Sequence, residues 1–115
     1  MTVKYVVLAE EIADEIKKLK QVLERIKKNL STLEKGKVEN AVYIDSLALN
    51  LHSFYTGLEN IFENIASKVD GEIPSGESWH TNLLLQMNTL LKDIRPKVIS
   101  DKILGDLRDL LTFRH

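Results

Sequence analysis

Arginine and histidine come together in one part of this sequence, the segment that ends at His115. Arg108 and His115 are seven residues apart, about two helical turns, so both would project from the same side of a helix, and Arg114 lies beside His115. Metal-free RNA cleavage, in which the ribose 2′-OH attacks its own phosphate, needs an arginine that binds the phosphodiester and a histidine that transfers a proton. The helix dipole also favours these residues in the last turn of any helix, so a structural interpretation stays open.

The other two histidines are expected to have structural roles. His52 is one residue off an apolar helical stripe, which favours a boundary residue hydrogen-bonded to a neighbour. His80 follows Trp79 at a predicted helix start, where its imidazole would either lie beside an anion or cover the indole ring, and we favour the cover. The histidines form no paired ligand motif and the chain has no cysteine, so we expect no bound metal and no cofactor.

Two other binding signals are weak. Gly71 and Gly76 flank Pro74 with no Lys-Ser or Lys-Thr after them, which excludes a P-loop. A basic run on the first predicted helix could contact RNA phosphates, although a solvated face is the favoured interpretation. The run comprises Lys17, Lys18, Lys20, Arg25, Lys27 and Lys28. No aromatic residues alternate with these side chains, so base stacking is not indicated there.

The composition describes one ordinary globular domain of 115 residues, with 43% hydrophobic and 29% charged residues. It excludes a disordered tail and a fibrous protein. Sixteen basic against 17 acidic residues leave a formal charge of -1, which lacks the excess of a dedicated duplex-DNA binder. No apolar stretch approaches the roughly 18 residues that span a bilayer, and the first eleven residues lack a signal-peptide pattern. We therefore expect a cytoplasmic protein without a membrane partner.

Two long helices are predicted first. Apolar residues at steps of four and three run from Tyr5 to Leu33, and Gly36 ends this helix. A second, wider stripe runs from Ile44 to Val69, which predicts a central helix that packs on more than one neighbour. The two helices would form an antiparallel hairpin through the turn at residues 34–40. Within the second, Gly57 lowers helix propensity, so we expect another helix to approach closely there.

Two short helices follow a loop over residues 70–76. Ser75 or Ser78 would cap a third helix that carries Trp79 to Leu91 and ends before Arg95-Pro96. Ser100 or Asp101 would cap a fourth, whose apolar face comprises Ile103, Leu104, Leu107, Leu110, Leu111 and Phe113. No segment alternates with period two, so the prediction is an all-α, up-and-down bundle of four helices in a single domain, residues 1–115. The fourth helix lacks a stop signal, which predicts a domain truncated at its C-terminus.

Three segments of the chain resemble HepT-like proteins of the HEPN superfamily: residues 49–63, the loop 71–80 with its Trp-His pair, and the ending Phe113-Arg114-His115. The resemblance extends over essentially the whole chain. It implies a HEPN helical bundle that forms a homodimer. It further implies a metal-independent ribonuclease toxin, encoded beside a small nucleotidyltransferase antitoxin.

The family motif is an arginine, four to six further residues and a histidine, often followed two residues later by a tyrosine to which the antitoxin adds AMP. Arg108 and His115, with six residues between them, formally satisfy this spacing. Similar proteins usually continue after Phe-Arg-His into a further Arg, a His or Asn, and a Tyr. On that second alignment, which we favour, Arg114 is the motif arginine and the motif histidine and tyrosine lie beyond residue 115.

The second alignment also explains a helix without a stop signal. The chain has no tyrosine after Tyr55, so the AMP acceptor is absent from it, and the fragment would fold and dimerise without cutting RNA. Two alternatives remain open. One is a non-catalytic helical binding module or homodimer that partners a nucleotidyltransferase, for which His115 would be dispensable, and the other is a helical homodimer with only an assembly role.

Overall fold

The computed structural model describes residues 2–36 and 40–114. These residues form four α-helices: α1 (Val3–Lys35), α2 (Asn40–Ile65), α3 (Trp79–Met87) and α4 (Asp101–Arg114). A π-helical turn, Ala66–Asp70, continues α2. The described part of the chain contains no β-strand, and its one bridge joins Leu91 and Arg95 in the α3–α4 connection. The predicted all-α fold with two long and two short helices is confirmed.

The long helices α1 and α2 form the predicted antiparallel hairpin. Gly36 ends α1 in the left-handed conformation, with φ at 63°, and its N–H donates to the Leu33 carbonyl. Lys68, just after α2, donates to Glu11 near the start of α1, so the two helices run in opposite directions. Helix α2 contacts α1, α3 and α4, as its wide apolar stripe predicts. Among the described helices, none has the length and apolar character that crossing a bilayer requires.

The buried row of α1 differs from the predicted stripe. Leu8, Leu19, Val22, Ile26 and Asn29 are buried, whereas the predicted Ile16, Leu23 and Leu30 are exposed. The exposed residues lie on one side of the buried row, at intervals of seven residues. Helix α1 carries more apolar surface than the single long helix packed against it can cover, so the spacing alone did not identify the packed side.

Gly57 lies where the Leu19 side chain of α1 comes close to the backbone of α2, so the predicted approach of another helix is confirmed. A Cβ atom at this position would overlap the Leu19 side chain of α1. We expect Gly57→Val to lower the free energy of unfolding by about 2 kcal/mol, because the added methyl groups overpack a buried contact and valine is a poor helix former. Urea unfolding followed by circular dichroism measures the loss. In a Leu19→Ala background, Gly57→Val should lower the free energy of unfolding by less. An equal loss in both backgrounds would contradict a contact between position 57 and Leu19.

The third helix ends earlier than predicted. Its last residue is Met87, and Asn88 forms the C-cap, so Leu90 and Leu91 lie outside the helix and Leu90 is 61% exposed. The Asn88 side chain donates to the Ile99 carbonyl and to Asp101, which ties the end of α3 to the start of α4. This long-range tie ends the helix where the local sequence would allow it to continue.

The fourth helix begins with the predicted serine cap. The Ser100 hydroxyl accepts a hydrogen bond from the Ile103 N–H at 3.2 Å. A hydrogen bond from Asn88, and then the hydrogen bond and charge of Lys97, lower the pKa of Asp101. Leu107 and Leu111 pack into the core, whereas Ile103 is exposed, contrary to prediction. The core that they join lies where α2, α3 and α4 meet and includes Tyr55, Phe62, Ala66, Leu83, Leu84 and Met87.

Candidate functional site

A buried carboxylate and a histidine meet at the junction of α2 and α3. Glu59 on α2 is only 4% exposed, and its Oε2 is hydrogen-bonded to Nδ1 of His80 in the first turn of α3. The Trp79 and His80 rings lie against each other, with centroids 3.6 Å apart and planes inclined by 31°. The His80 ring therefore covers the indole of Trp79, as favoured from the sequence, and it also contacts a carboxylate. The prediction that His80 only covers the indole is incomplete.

Tyr55 is a buried residue on the same side of α2 as Glu59. It precedes Glu59 by one helical turn and is 1% exposed. Tyr55 belongs to the predicted apolar stripe of α2, whereas the burial of Glu59 was not predicted. The available signal was a glutamate four residues after Tyr55 and three before Phe62, on the side of the helix that is buried. A carboxylate in such a position needs a polar partner, and that partner is 21 residues further along the chain.

A buried ion pair joins the π-helical turn after α2 to the α3–α4 connection. Arg95 binds both carboxylate oxygens of Asp70, from Nε and Nη2, at 2.6 Å each. Gln86 donates to the same carboxylate and to the Glu72 carbonyl. Burial acts to raise the pKa of Asp70, but the hydrogen bonds from Arg95 and Gln86 and the charge of Arg95 together outweigh it and lower the pKa. This cluster holds the loop that leads to Trp79 and His80.

Two of the three predicted catalytic residues, Arg108 and Arg114, belong to α4. Arg108 is exposed, on a helix that packs into the core through Leu107 and Leu111. Arg114 is the last residue of α4, while its side chain and all of His115 lie outside the described residues. The pairing of Arg108 with His115, and the alternative role of Arg114, therefore stay predictions.

His52 departs from its prediction. It is exposed on α2, and its side chain makes no hydrogen bond to another residue that the structure describes. It lines a groove between α1 and α2, together with Lys18 from the basic run. The predicted hydrogen bond of a boundary histidine is wrong, because the exposed ring of His52 lies at the rim of this groove and reaches no hydrogen-bonding partner among the described residues.

The basic run of α1 is exposed, as a solvated face would be. Lys18 pairs with Glu15 at 3.7 Å and Lys27 pairs with Glu24 at 3.5 Å, both one helical turn apart. Exposed pairs of this kind contribute little to stability. Within residues 2–36 and 40–114, no group of three or more histidine, aspartate or glutamate side chains is arranged to hold a metal ion.

Comparison with known families gives one finding. A family model described as HepT-like protein matches residues 46–115. The match begins in α2 and includes both buried pairs, Glu59 with His80 and Asp70 with Arg95. It also includes the C-terminal arginines and His115. Comparison with curated proteins and with solved structures gives no match.

Proposed function

The chain belongs to the HepT-like family of the HEPN superfamily, and from this membership we propose that it is a metal-independent ribonuclease toxin that pairs with a nucleotidyltransferase antitoxin. The observation that carries the proposal is the family match over residues 46–115. This range includes Arg108, Arg114 and His115, the residues whose types suit RNA cleavage. The exposed position of Arg108 on α4 agrees with a side chain that meets a large, charged substrate.

In the proposed reaction the ribose 2′-oxygen attacks the adjacent phosphorus, and the bond from phosphorus to the 5′-oxygen breaks. The products are a 2′,3′-cyclic phosphate and a free 5′-hydroxyl. One proton leaves the 2′-OH and one reaches the departing 5′-oxygen, so the reaction balances without a co-reactant. We assign a proton transfer to His115 and the stabilisation of charge on the phosphate to Arg108 or Arg114.

A homodimer is part of the proposal, because in this family two motifs share one cleft. Exposed apolar residues support it: Ile16, Leu23 and Leu30 follow one another at intervals of seven along α1. This spacing places them on one side of the helix, as in helix–helix interfaces. A row of exposed apolar side chains of this length is typical of a surface that another protein covers.

RNA cleavage in the presence of EDTA tests the proposal. The protein is compared as wild type, Arg108→Ala, Arg114→Ala, His115→Ala and the control Lys102→Ala, a substitution of an exposed residue in α4. Removing a group that stabilises the transition state should lower the cleavage rate by about 10²–10³-fold, whereas the control should cleave normally. If Arg108→Ala and His115→Ala abolish cleavage, the alignment in which Arg108 and His115 form the motif is supported. If Arg114→Ala abolishes cleavage and Arg108→Ala does not, the alignment with Arg114 as the motif arginine is supported. Absence of cleavage by every form, with a nucleotidyltransferase still bound, would favour the non-catalytic binding module.

A further inference from the structure

A groove follows one side of the α1–α2 hairpin. Two concavities lie along it, one of about 360 Å³ beside Lys18, His52 and Ser53 and one of about 280 Å³ beside Arg25 and Asn50. Lining residues recur on α1 at steps of three and four, from position 18 to position 32, and on α2 from position 43 to position 60. Steps of this size keep side chains on one helix face, so the two concavities are successive parts of one groove.

The two sides of this groove differ in charge. The α1 side carries three cations, Lys18, Arg25 and Lys28, over ten residues or about 15 Å of helix. The α2 side carries no acidic residue, lysine or arginine, and it includes the small polar side chains of Ser46 and Ser53. Of the described residues that line the groove, Glu15 is the one carboxylate, and its contact with the exposed Lys18 is long, at 3.7 Å. The groove therefore has a net positive charge, although the whole chain has a charge of -1.

Arg25 is held in place by buried amides. Its Nε donates to Asn50 Oδ1 at 3.3 Å, and Asn50 Nδ2 donates to Asn29 Oδ1 at 2.9 Å. Asn29 and Asn50 are each only 8% exposed, between helices where leucines would pack without needing hydrogen-bond partners. The terminal amino groups of Arg25 make no hydrogen bond to another described residue, and the exposed Lys28 has no acidic partner among them. The two polar side chains thus orient a guanidinium whose remaining donors are available to a ligand.

We propose that this groove binds the backbone of a single RNA strand. Arg25 contacts one phosphate with its terminal amino groups, and Lys18 and Lys28 contact phosphates on either side along the strand. A planar guanidinium with fixed orientation suits bidentate phosphate binding, and the flanking lysines add point charges. Tyr43, from the opposite helix, lines the same end of the groove as Lys28 and offers a ring for one base. The basic run of α1 lacks an aromatic neighbour in sequence, and the fold supplies one from α2.

This inference rests on RNA being the substrate, and it assigns the groove a role in holding the strand, separate from the cleavage chemistry at α4. Anisotropy of a fluorescent single-stranded RNA, titrated with protein from 0.05 to 1 M salt, measures binding. The triple variant Lys18→Gln, Arg25→Gln, Lys28→Gln is compared with a matched triple variant, Lys20→Gln, Lys27→Gln, Lys102→Gln. The control removes the same charge from exposed positions off the groove.

Each phosphate contact contributes about 0.7 to the slope of log affinity against log salt for a single strand. Loss of three contacts should lower the magnitude of this slope by about 2. The affinity lost by the groove variant relative to wild type should therefore be about 100-fold greater at 0.1 M salt than at 1 M salt. The control should retain the wild-type slope. Equal slopes in the two triple variants would overturn the inference, and so would a change of oligomeric state confined to the groove variant, because the groove would then be a protein interface.

A second variant separates orientation of Arg25 from stability. Asn29→Leu with Asn50→Leu replaces both hydrogen-bonding amides by apolar side chains, which is expected to leave the fold at least as stable as wild type. It removes the anchor of Arg25 and should weaken RNA binding several-fold, while unchanged binding would contradict the orienting role. Measuring cleavage as well as binding distinguishes the two proposals. If the wild-type protein cleaves RNA but the groove variant binds RNA as tightly as the control variant, only the proposal of a binding groove is overturned. A wild-type protein that neither binds nor cleaves RNA overturns both.

Discussion

Replacing Arg95 with alanine is expected to lower the free energy of unfolding by about 3–5 kcal/mol. The side chain of Arg95 is 8% exposed and that of Asp70 3% exposed. All five N–H groups of the guanidinium donate, to the Asp70 carboxylate and to the carbonyls of Gln86, Thr89 and Pro96. Alanine would leave a buried carboxylate without its cation and three carbonyls without their donor, and this desolvation cost is the source of the loss.

Chemical unfolding of the variant, compared with Lys97→Ala, measures the effect. Lys97 forms an ion pair with Asp101 in the same connection, but both side chains are largely exposed, so its removal should change stability little. The double variant Asp70→Leu with Arg95→Met should be more stable than Arg95→Ala, because no buried charge is left alone. An Arg95→Ala variant no less stable than Lys97→Ala would show that the buried pair does not hold the loop.

The same ion pair makes stability depend on pH in a defined direction. Because the folded protein lowers the pKa of Asp70 below its ordinary value of 3.8, the carboxylate stabilises the fold fully above that value. This contribution is lost as the pH falls through the lowered pKa of the folded state. The difference in unfolding free energy between wild type and Asp70→Asn should therefore shrink as the pH is lowered from 5 to 2. A difference that stays constant over this range would contradict the assignment.

The features that sequence predicted correctly depend on neighbouring residues. Gly36 ends α1 because glycine adopts the left-handed conformation at little cost, and Ser100 starts α4 because its hydroxyl accepts from the next turn. Gly57 differs from these residues because it predicted a contact between helices. Its low helix propensity indicated that another helix comes close, and the structure confirms this contact with Leu19. Helix number, order and type followed from such local signals.

The features that sequence missed depend on partners far along the chain. The sequence marks Arg95 only as part of a helix stop, because its partner Asp70 is 25 residues earlier and nothing near either residue specifies the pairing. The early end of α3 has the same origin, because Asn88 bonds to groups beside α4. The groove is formed by residues of two helices. The sequence indicated the basic residues of α1, but it could not predict that Tyr43 and Asn50 of α2 lie beside them. The catalytic roles of Arg108, Arg114 and His115 stay predictions.

The pair of Glu59 and His80 leads to the second large effect. His80→Ala is expected to lower the free energy of unfolding by about 2–4 kcal/mol, because it removes a hydrogen-bond partner from a buried carboxylate and a ring from Trp79. The exposed His52 on α2 provides a matched control, and His52→Ala should have little effect on stability. Trp79 is the only tryptophan of the chain, so its emission spectrum reports on this site directly. It should shift in His80→Ala and stay unchanged in His52→Ala.

A double-mutant cycle tests whether Glu59 and His80 act together. Once His80 is absent, much of the cost of removing Glu59 has already been incurred, so Glu59→Ala with His80→Ala should lose less stability than the two single variants combined. The expected coupling is about 1–3 kcal/mol. Glu59→Gln, which keeps the side-chain shape and a hydrogen-bonding oxygen, should lose less than Glu59→Ala. Losses that add within about 0.5 kcal/mol would show that the two residues stabilise the α2–α3 junction independently.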